Sequence, residues 1–241
     1  MQTKSFKHLD LIIGLFVAVL LVSNIASSAK LVSIGRLEFD AGTLIFPLSY
    51  IFDDVLTEVY GYKTSRRVIW IGFVCLFLMS AILMIVGVLP GTEFWRTTNA
   101  AGDPVAGIAN YGQDAFDKIL GLTGRIVAGS LLAFFVGSFS NDFILAKLKI
   151  MTSGKLLWLR TIGSTLVGEG LDTMVFALVA FLGVLPQADL VTLIISNYVF
   201  KVGVEVVFTP ITYAVVNFLK RSESVDTYDR DTDFNPFKIE A

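Results

Sequence analysis

Asp54 and Glu58 stand four residues apart in the apolar run Phe46 to Glu58, so they share one face of a helix. The run lies between two strongly apolar stretches. An ionised side chain at membrane depth costs on the order of 2.5–3.5 kcal/mol on insertion scales, so such groups persist where they bind something, carry charge or hold helices together. Asp53, beside Asp54, points about 100° around the helix and is a neighbour of that face rather than a member. Farther along, Glu169 and Asp172 stand three apart, Lys201 and Glu205 four apart, and Arg160 opens the same apolar stretch as Asp172. Asn24, Asn141, Asp142, Ser164 and Asn197 add polar atoms. Four or more charged groups from three helices do not all face lipid; they converge on the bundle interior or on water. The chemistry open to such a set is recognition of a small polar solute with several donors and acceptors.

Plainer readings exist for some of these groups. Lys201 and Glu205 suit a self-contained ion pair on one helix, although desolvation makes such a pair weak evidence for stability. Asp142 suits a cap near a helix end, and Arg125 a long stem reaching the membrane interface. Catalysis has less to work with. His8 is the sole histidine and precedes the first apolar stretch, there is no Cys/His cluster, and G-x-x-x-x-G-K-[ST] is missing. The chain therefore offers no catalytic residues, no metal ligands and no cofactor motif.

The elements that position these groups follow from hydropathy. Of 241 residues 54% are hydrophobic and 17% charged, against about 25% charged in soluble domains. Mean hydropathy is +0.72. The fold class expected is an all-α integral membrane protein with six transmembrane helices, over residues 9–29, 41–60, 67–89, 119–147, 157–185 and 189–219. The second is the least apolar. The first exceeds the 7–15 apolar residues of a cleavable signal and reads as a span. Residues 1–221 form one transmembrane domain, and the acidic tail 222–241 reads as disordered.

Lys and Arg placement sets the orientation. With both termini cytoplasmic, the inner segments carry Lys4, Lys7, Lys63, Arg66, Arg67, Lys147, Lys149, Lys155, Lys220 and Arg221, and the outer ones only Lys30, Arg36, Arg96 and Lys118. The outer connection 90–118 reads equally as a lid or a plain linker. A net charge of −2 with no basic stripe excludes a nucleic-acid partner. Cys75, the single cysteine, is a small packing residue. Pro47 and Pro210 break the backbone ladder of their helices, and Gly163, Gly168 and Gly170 permit close helix approach. Tyr50 and Tyr198 suit stacking on a planar ligand, whereas Tyr60, Tyr62 and Trp70 suit an interfacial belt.

Three patterns together resemble the queuosine precursor transporters, a vitamin-uptake-type family of bacterial inner-membrane proteins. Pro47, Asp54, Glu58, Val59, Tyr60 and Gly61 fit P-x₆-D-x₃-E-V-Y-G; Arg160, Thr161, Gly163, Ser164 and Asp172 fit R-T-x-G-S-x₇-D; Lys201, Glu205 and Pro210 fit K-x₃-E-x₄-P. The resemblance covers essentially the whole chain. It implies a multi-pass inner-membrane importer of 7-deazaguanines such as preQ0 and preQ1 for salvage into tRNA queuosine. It also implies a relation to the substrate-binding subunits of energy-coupling-factor transporters, which leaves an ATPase partner and a homodimer open.

A purine-like substrate fits the residues. Its adjacent N–H and amino donors match one carboxylate, from Asp54, Glu58 or Asp172. Lys201, Arg160 or Asn24 donates to the carbonyl, and a second carboxylate suits an aminomethyl ammonium. Glu205 and Ser164 complete the polar set, and Tyr50 or a phenylalanine stacks on the ring for about 1–3 kcal/mol. The alternatives are a substrate-capture subunit needing a separate ATPase module for another vitamin-like solute, and a membrane-embedded acid/base enzyme.

Overall fold

The computed structural model describes residues 6–34, 37–121 and 124–238. Lys4, Arg36 and residues 239–241, which enter the orientation count and the tail, lie outside the described residues. Helix α1 spans Leu9–Ala29 and is followed by an antiparallel hairpin, β1 Leu31–Ile34 with β2 Leu37–Asp40, registered Val32 to Phe39. A 3₁₀ turn at Ala41–Leu44 leads into α2, Pro47–Tyr60. Then come α3 Tyr62–Val88, the short α4 Glu93–Thr97, α5 Tyr111–Leu120, α6 Gly124–Met151, α7 Leu157–Phe181 and α8 Gln187–Glu223.

Among the described residues five helices are long and apolar enough to cross a membrane: α1, α3, α6, α7 and α8. The span expected over 41–60 is different. Asp40 caps the 3₁₀ turn by accepting from Thr43 N at 3.0 Å, and Pro47 starts a new helix at its first position. The 14 residues of α2 rise about 21 Å, short of the ~30 Å hydrocarbon layer. Helix α8, by contrast, continues through Pro210 for 37 residues, about 55 Å, well past a single crossing.

The packing is that of a protein solvated by hydrocarbon. Phe77, Ile82 and Ile85 of α3 and Ile195, Val199 and Val207 of α8 point outward, while 28 polar or charged side chains among the described residues are buried. Phe16, Leu20, Ile69, Leu76 and Phe134 form the apolar part of the interior. Helices α6 and α7 approach closely at two glycines: a Cβ on Gly137 would stand 2.8 Å from Asp172 Cβ, and one on Gly168 2.7 Å from Asn141 Cβ. Half-helix α2 therefore sits sheathed by the bundle, with eleven of its residues buried. Its acids are accordingly held off lipid.

Both termini lie at one end. Lys7 N and His8 N donate to the Glu223 carboxylate at 3.0 and 2.7 Å. The tail expected to be disordered instead docks at this end through residue 238. Tyr62 N donates to Asp229 Oδ2 at 3.0 Å, Arg66 Nη1 to the carbonyls of Asp233 and Asn235 at 2.9 and 2.7 Å, and Trp70 Nε1 to Pro236 O at 2.8 Å. Phe234 and Phe237 add ring contacts to Tyr62 and Trp70. Polar composition alone underestimates the tail because its backbone carbonyls are the acceptors.

Gly61 makes this docking possible. With φ +86° it turns the chain between α2 and α3, and a Cβ there would stand 2.6 Å from Thr227 Cγ2 of the tail.

Candidate functional site

A cavity of about 170 Å³ lies in the half of the bundle away from the termini. A 150 Å³ cavity lodges a benzene ring, so this space suits a small planar ring system rather than a peptide or nucleotide. Helix α1 contributes Asn24, Ser27 and Ser28; Asp40, Thr43 and Phe46 come from the segment that precedes α2. Helix α3 gives Ser80, α6 the Ile126–Ser130 turn, α7 Asp172, Thr173 and Phe176, and α8 Leu193, Asn197 and Lys201.

The charge in this cavity is an ion triplet across α7 and α8. Lys201 Nζ donates to Asp172 Oδ2 at 2.6 Å and lies 3.0 Å from Glu169 Oε2, within ion-pair reach but outside hydrogen-bond geometry. The same ammonium stands 4.3 Å from the Phe46 ring centroid, a cation–π contact. Asp172 and Lys201 face the cavity, while Glu169 is fully buried behind them. Two cavity-lining oxygens, Asn197 Oδ1 and Thr173 Oγ1, are buried without a hydrogen bond. An orphan polar atom in a pocket is costly unless a ligand completes it. Asp40 is already saturated, accepting from Ser27 Oγ at 2.6 Å, Thr43 N at 3.0 Å and Thr43 Oγ1 at 2.8 Å. It builds the wall rather than greeting a ligand.

Of the nine residues expected in a binding site, the structure brings Asn24, Asp172 and Lys201 to this cavity. The other six lie elsewhere. Tyr50 is buried behind the cavity, its hydroxyl 3.4 Å from Gly168 O. Asp54 Oδ1 accepts from Asn141 Nδ2 at 2.7 Å and lies 3.4 Å from Ser164 Oγ, which also reaches Thr161 O at 2.9 Å. Glu205 makes no hydrogen bond and no ion pair with Lys201, because Lys201 turns to the acids of α7 instead. Arg125, expected at an interface, donates to Val179 O and Leu182 O at the end of α7, where cations suit the free carbonyls.

Glu58 and Arg160 belong to a second assembly at the terminal end. Arg160 Nε and Nη2 grip the Glu58 carboxylate at 3.1 and 2.8 Å, a bidentate fork, and Lys220 Nζ reaches Oε1 at 2.6 Å. Arg160 also donates to Lys155 O. Lys149 Nζ, 3.5 Å from Glu58 Oε1, donates to Glu58 O at 2.5 Å and to Thr227 O at 2.7 Å. Asp226 of the tail bridges both lysines at 2.7 and 2.8 Å. The tail thus completes a plug of five charges below α2.

This plug carries a pH prediction. Partial burial works to raise the Asp226 pKa, but hydrogen bonds from Lys149 and Lys220 offset it and hold the carboxyl below the usual carboxylate value. A depressed pKa contributes stability above the ordinary value, about 3.9, and loses it as pH falls through the folded-state value. A spin label at exposed Asp231 is therefore expected to be immobile at pH 7 and mobile in acid below pH ~4, and Asp226→Asn mobile at pH 7 as well. A label equally immobile in Asp226→Asn would show that the rest of the tail suffices.

Sequence reasoning missed Phe46, Thr173 and Phe176 as cavity residues. Asp40 had a visible signal, since Asp three residues before Thr43 is a helix-start pattern. The others had none, because facing a cavity is a property of helix rotation.

The chain matches the family model described as "Putative vitamin uptake transporter" over residues 40–215. It is 30% identical over 195 residues to the "Probable queuosine precursor transporter" of Bacillus subtilis (strain 168), an alignment covering 80% of this chain and 79% of that protein. No solved structure matches.

Proposed function

We propose, since the chain belongs to the vitamin uptake transporter family, that this multi-pass membrane protein takes up 7-deazaguanine precursors of queuosine through the cavity beside Asp172 and Lys201. The relative in B. subtilis carries the words queuosine precursor in its name. The observation that carries the reading is the pairing of Asp172 with Lys201 in a cavity that also holds the orphan oxygens of Thr173 and Asn197 and the side chains of Phe46 and Phe176. Asp172 spends Oδ2 on Lys201, and its carboxylate accepts the ring N–H and exocyclic amino group. Lys201 or Asn24 donates to the carbonyl, and Phe46 or Phe176 covers the flat face.

The same reading assigns sides. With the termini in the cytoplasm of a bacterial inner membrane, the cavity lies toward the outside and the plug of Glu58, Arg160, Lys149, Lys220 and Asp226 closes the inside. On this reading the carrier is loaded from without.

Calorimetry on the purified protein tests this. PreQ0 and preQ1 are expected to bind, and Asp172→Asn to weaken them about 100-fold or more, because an amide offers one acceptor where two donors point. Wild-type protein that binds no 7-deazaguanine, or Asp172→Asn with unchanged affinity, overturns the reading.

A further inference from the structure

A second polar chamber lies apart from the cavity, between α2, α3 and α6, and among the described residues no ion pair from a lysine or arginine to its acids is seen. Asp53 and Asp142 are both fully buried and near enough to repel one another, and none of their four carboxylate oxygens makes a hydrogen bond of ordinary geometry. Lys149, Arg160, Lys201 and Lys220 pair instead with Glu58, Asp226, Glu169 and Asp172. The hydroxyls of Thr57 and Ser65 face Asp142, as does the Asn141 side chain, and Ser138 faces Asp53. Thr57 Oγ1, Ser65 Oγ, Ser138 Oγ and Asn141 Oδ1 are all buried and unpartnered too. Seven buried oxygens from three helices are thus gathered beside the Asn141 amide.

Such a set is costly with no charge to balance it. Two neighbouring carboxylates in a dry interior do not both stay ionised, and unmet buried oxygens each cost free energy. A cation removes both penalties. The further titratable neighbours are Asp54 and Tyr50 on α2, Glu169 on α7, Tyr62 on α3 and Asp229 of the tail, and Arg66, beside Tyr62, spends its Nη1 on the tail carbonyls of Asp233 and Asn235.

We propose that Asp53 and Asp142, with the hydroxyls and amide around them, bind the proton that drives uptake, so the protein is a proton-coupled carrier. This rests on the transport reading above. The link to the substrate cavity is short. Glu169 faces Asp53 on one side and lies 3.0 Å from Lys201 on the other, and the Tyr50 ring stands among Asp53, Asp142, Glu169 and Asp172. A base that draws Lys201 toward itself loosens Glu169, and that alters the field at Asp53. The proton enters from the cavity side, is shared by the two carboxyls, and leaves toward the plug when Asp229 and the tail move off.

Proteoliposomes loaded with the purified full chain test the proposal, with labelled preQ1 as probe and the membrane potential clamped. An acid-outside gradient is expected to raise accumulation at least 10-fold over equilibration, and a protonophore to abolish it. An inward Na⁺ gradient is expected to do nothing. Asp142→Asn and, as a second variant, Asp53→Asn are each expected to lose accumulation while still exchanging label for preloaded preQ1, which shows that they fold and carry the base. Accumulation driven by Na⁺ and not by pH, or wild-type accumulation in both variants, overturns the proposal. Wild-type protein that neither binds nor exchanges the base overturns the transport reading instead. The proton site is then read without ligand, as an infrared band of a protonated buried carboxyl that Asp53→Asn/Asp142→Asn removes; a wild-type spectrum lacking that band overturns the site itself.

Discussion

Lys201→Met is expected to abolish base binding and to cost about 3–5 kcal/mol of stability, the usual penalty for stranding buried charge. Methionine keeps the length and the apolar stem, so packing changes little. What goes is the one cation that lies 2.6 Å from Asp172 and 3.0 Å from Glu169. Phe46 also loses its cation–π partner. The two acids of α7 then lose the cation they pair with among the described residues. Thermal unfolding in detergent and calorimetry with preQ1 read the two effects separately. A variant as stable as wild type would show that the acids of α7 need no counter-charge, and intact binding would remove Lys201 from the proposed site.

Glu58→Gln is expected to match that loss of stability while leaving binding within a few-fold of wild type. Glutamine has the same shape, yet Arg160, Lys149 and Lys220 then lose their shared carboxylate, and Asp226 pairs with the two lysines alone. The bidentate grip on Arg160 becomes a single hydrogen bond, and charge-assisted bonds are the stronger kind. Because Glu58 lines no part of the cavity, the effect belongs to the plug. Adding Arg160→Met in the same chain should return part of the stability, since it removes one of the unmatched cations; the coupling between the two sites measures their interaction. Glu58→Gln that binds preQ1 more than tenfold weaker would place Glu58 in the binding site after all.

The contrast between these two residues shows how far the sequence reached. Arg160 and Glu58 were expected beside Asp172 because all lie in apolar stretches that must hide charge. They do hide it, and Arg160 does meet a carboxylate from α2. But Arg160 and Asp172 are twelve residues apart on α7, about 18 Å along its axis, so one serves the plug and the other the cavity. Asp54 and Glu58 share a helix face as their spacing requires, yet one turn of rise, about 6 Å, separates a neighbourhood of Asn141 and Ser164 from one of Arg160 and lysines.

Spacing also suggested that Lys201 and Glu205 neutralise one another. Geometry on one helix permits it, but Asp172 and Glu169 offer Lys201 two carboxylates from α7. The tail fails differently: its acidic, polar composition points to solvent, whereas Arg66, Tyr62 and Trp70 capture its backbone. A composition argument is blind to main-chain acceptors.

Hydrophobic periodicity and the energetic penalty for charge in hydrocarbon determined that this chain is a helical membrane protein with an internal polar interior, and they singled out the ionisable groups that line it. Those constraints act residue by residue and are readable in one dimension. Only the tertiary structure decided that α2 is a sheathed half-helix, that the charges divide into a cavity triplet, a plug and an uncompensated acid chamber, and that the tail closes one end. Partner choice depends on helix rotation, axial offset and the close approach at Gly137 and Gly168, and these are set by packing between segments far apart in sequence.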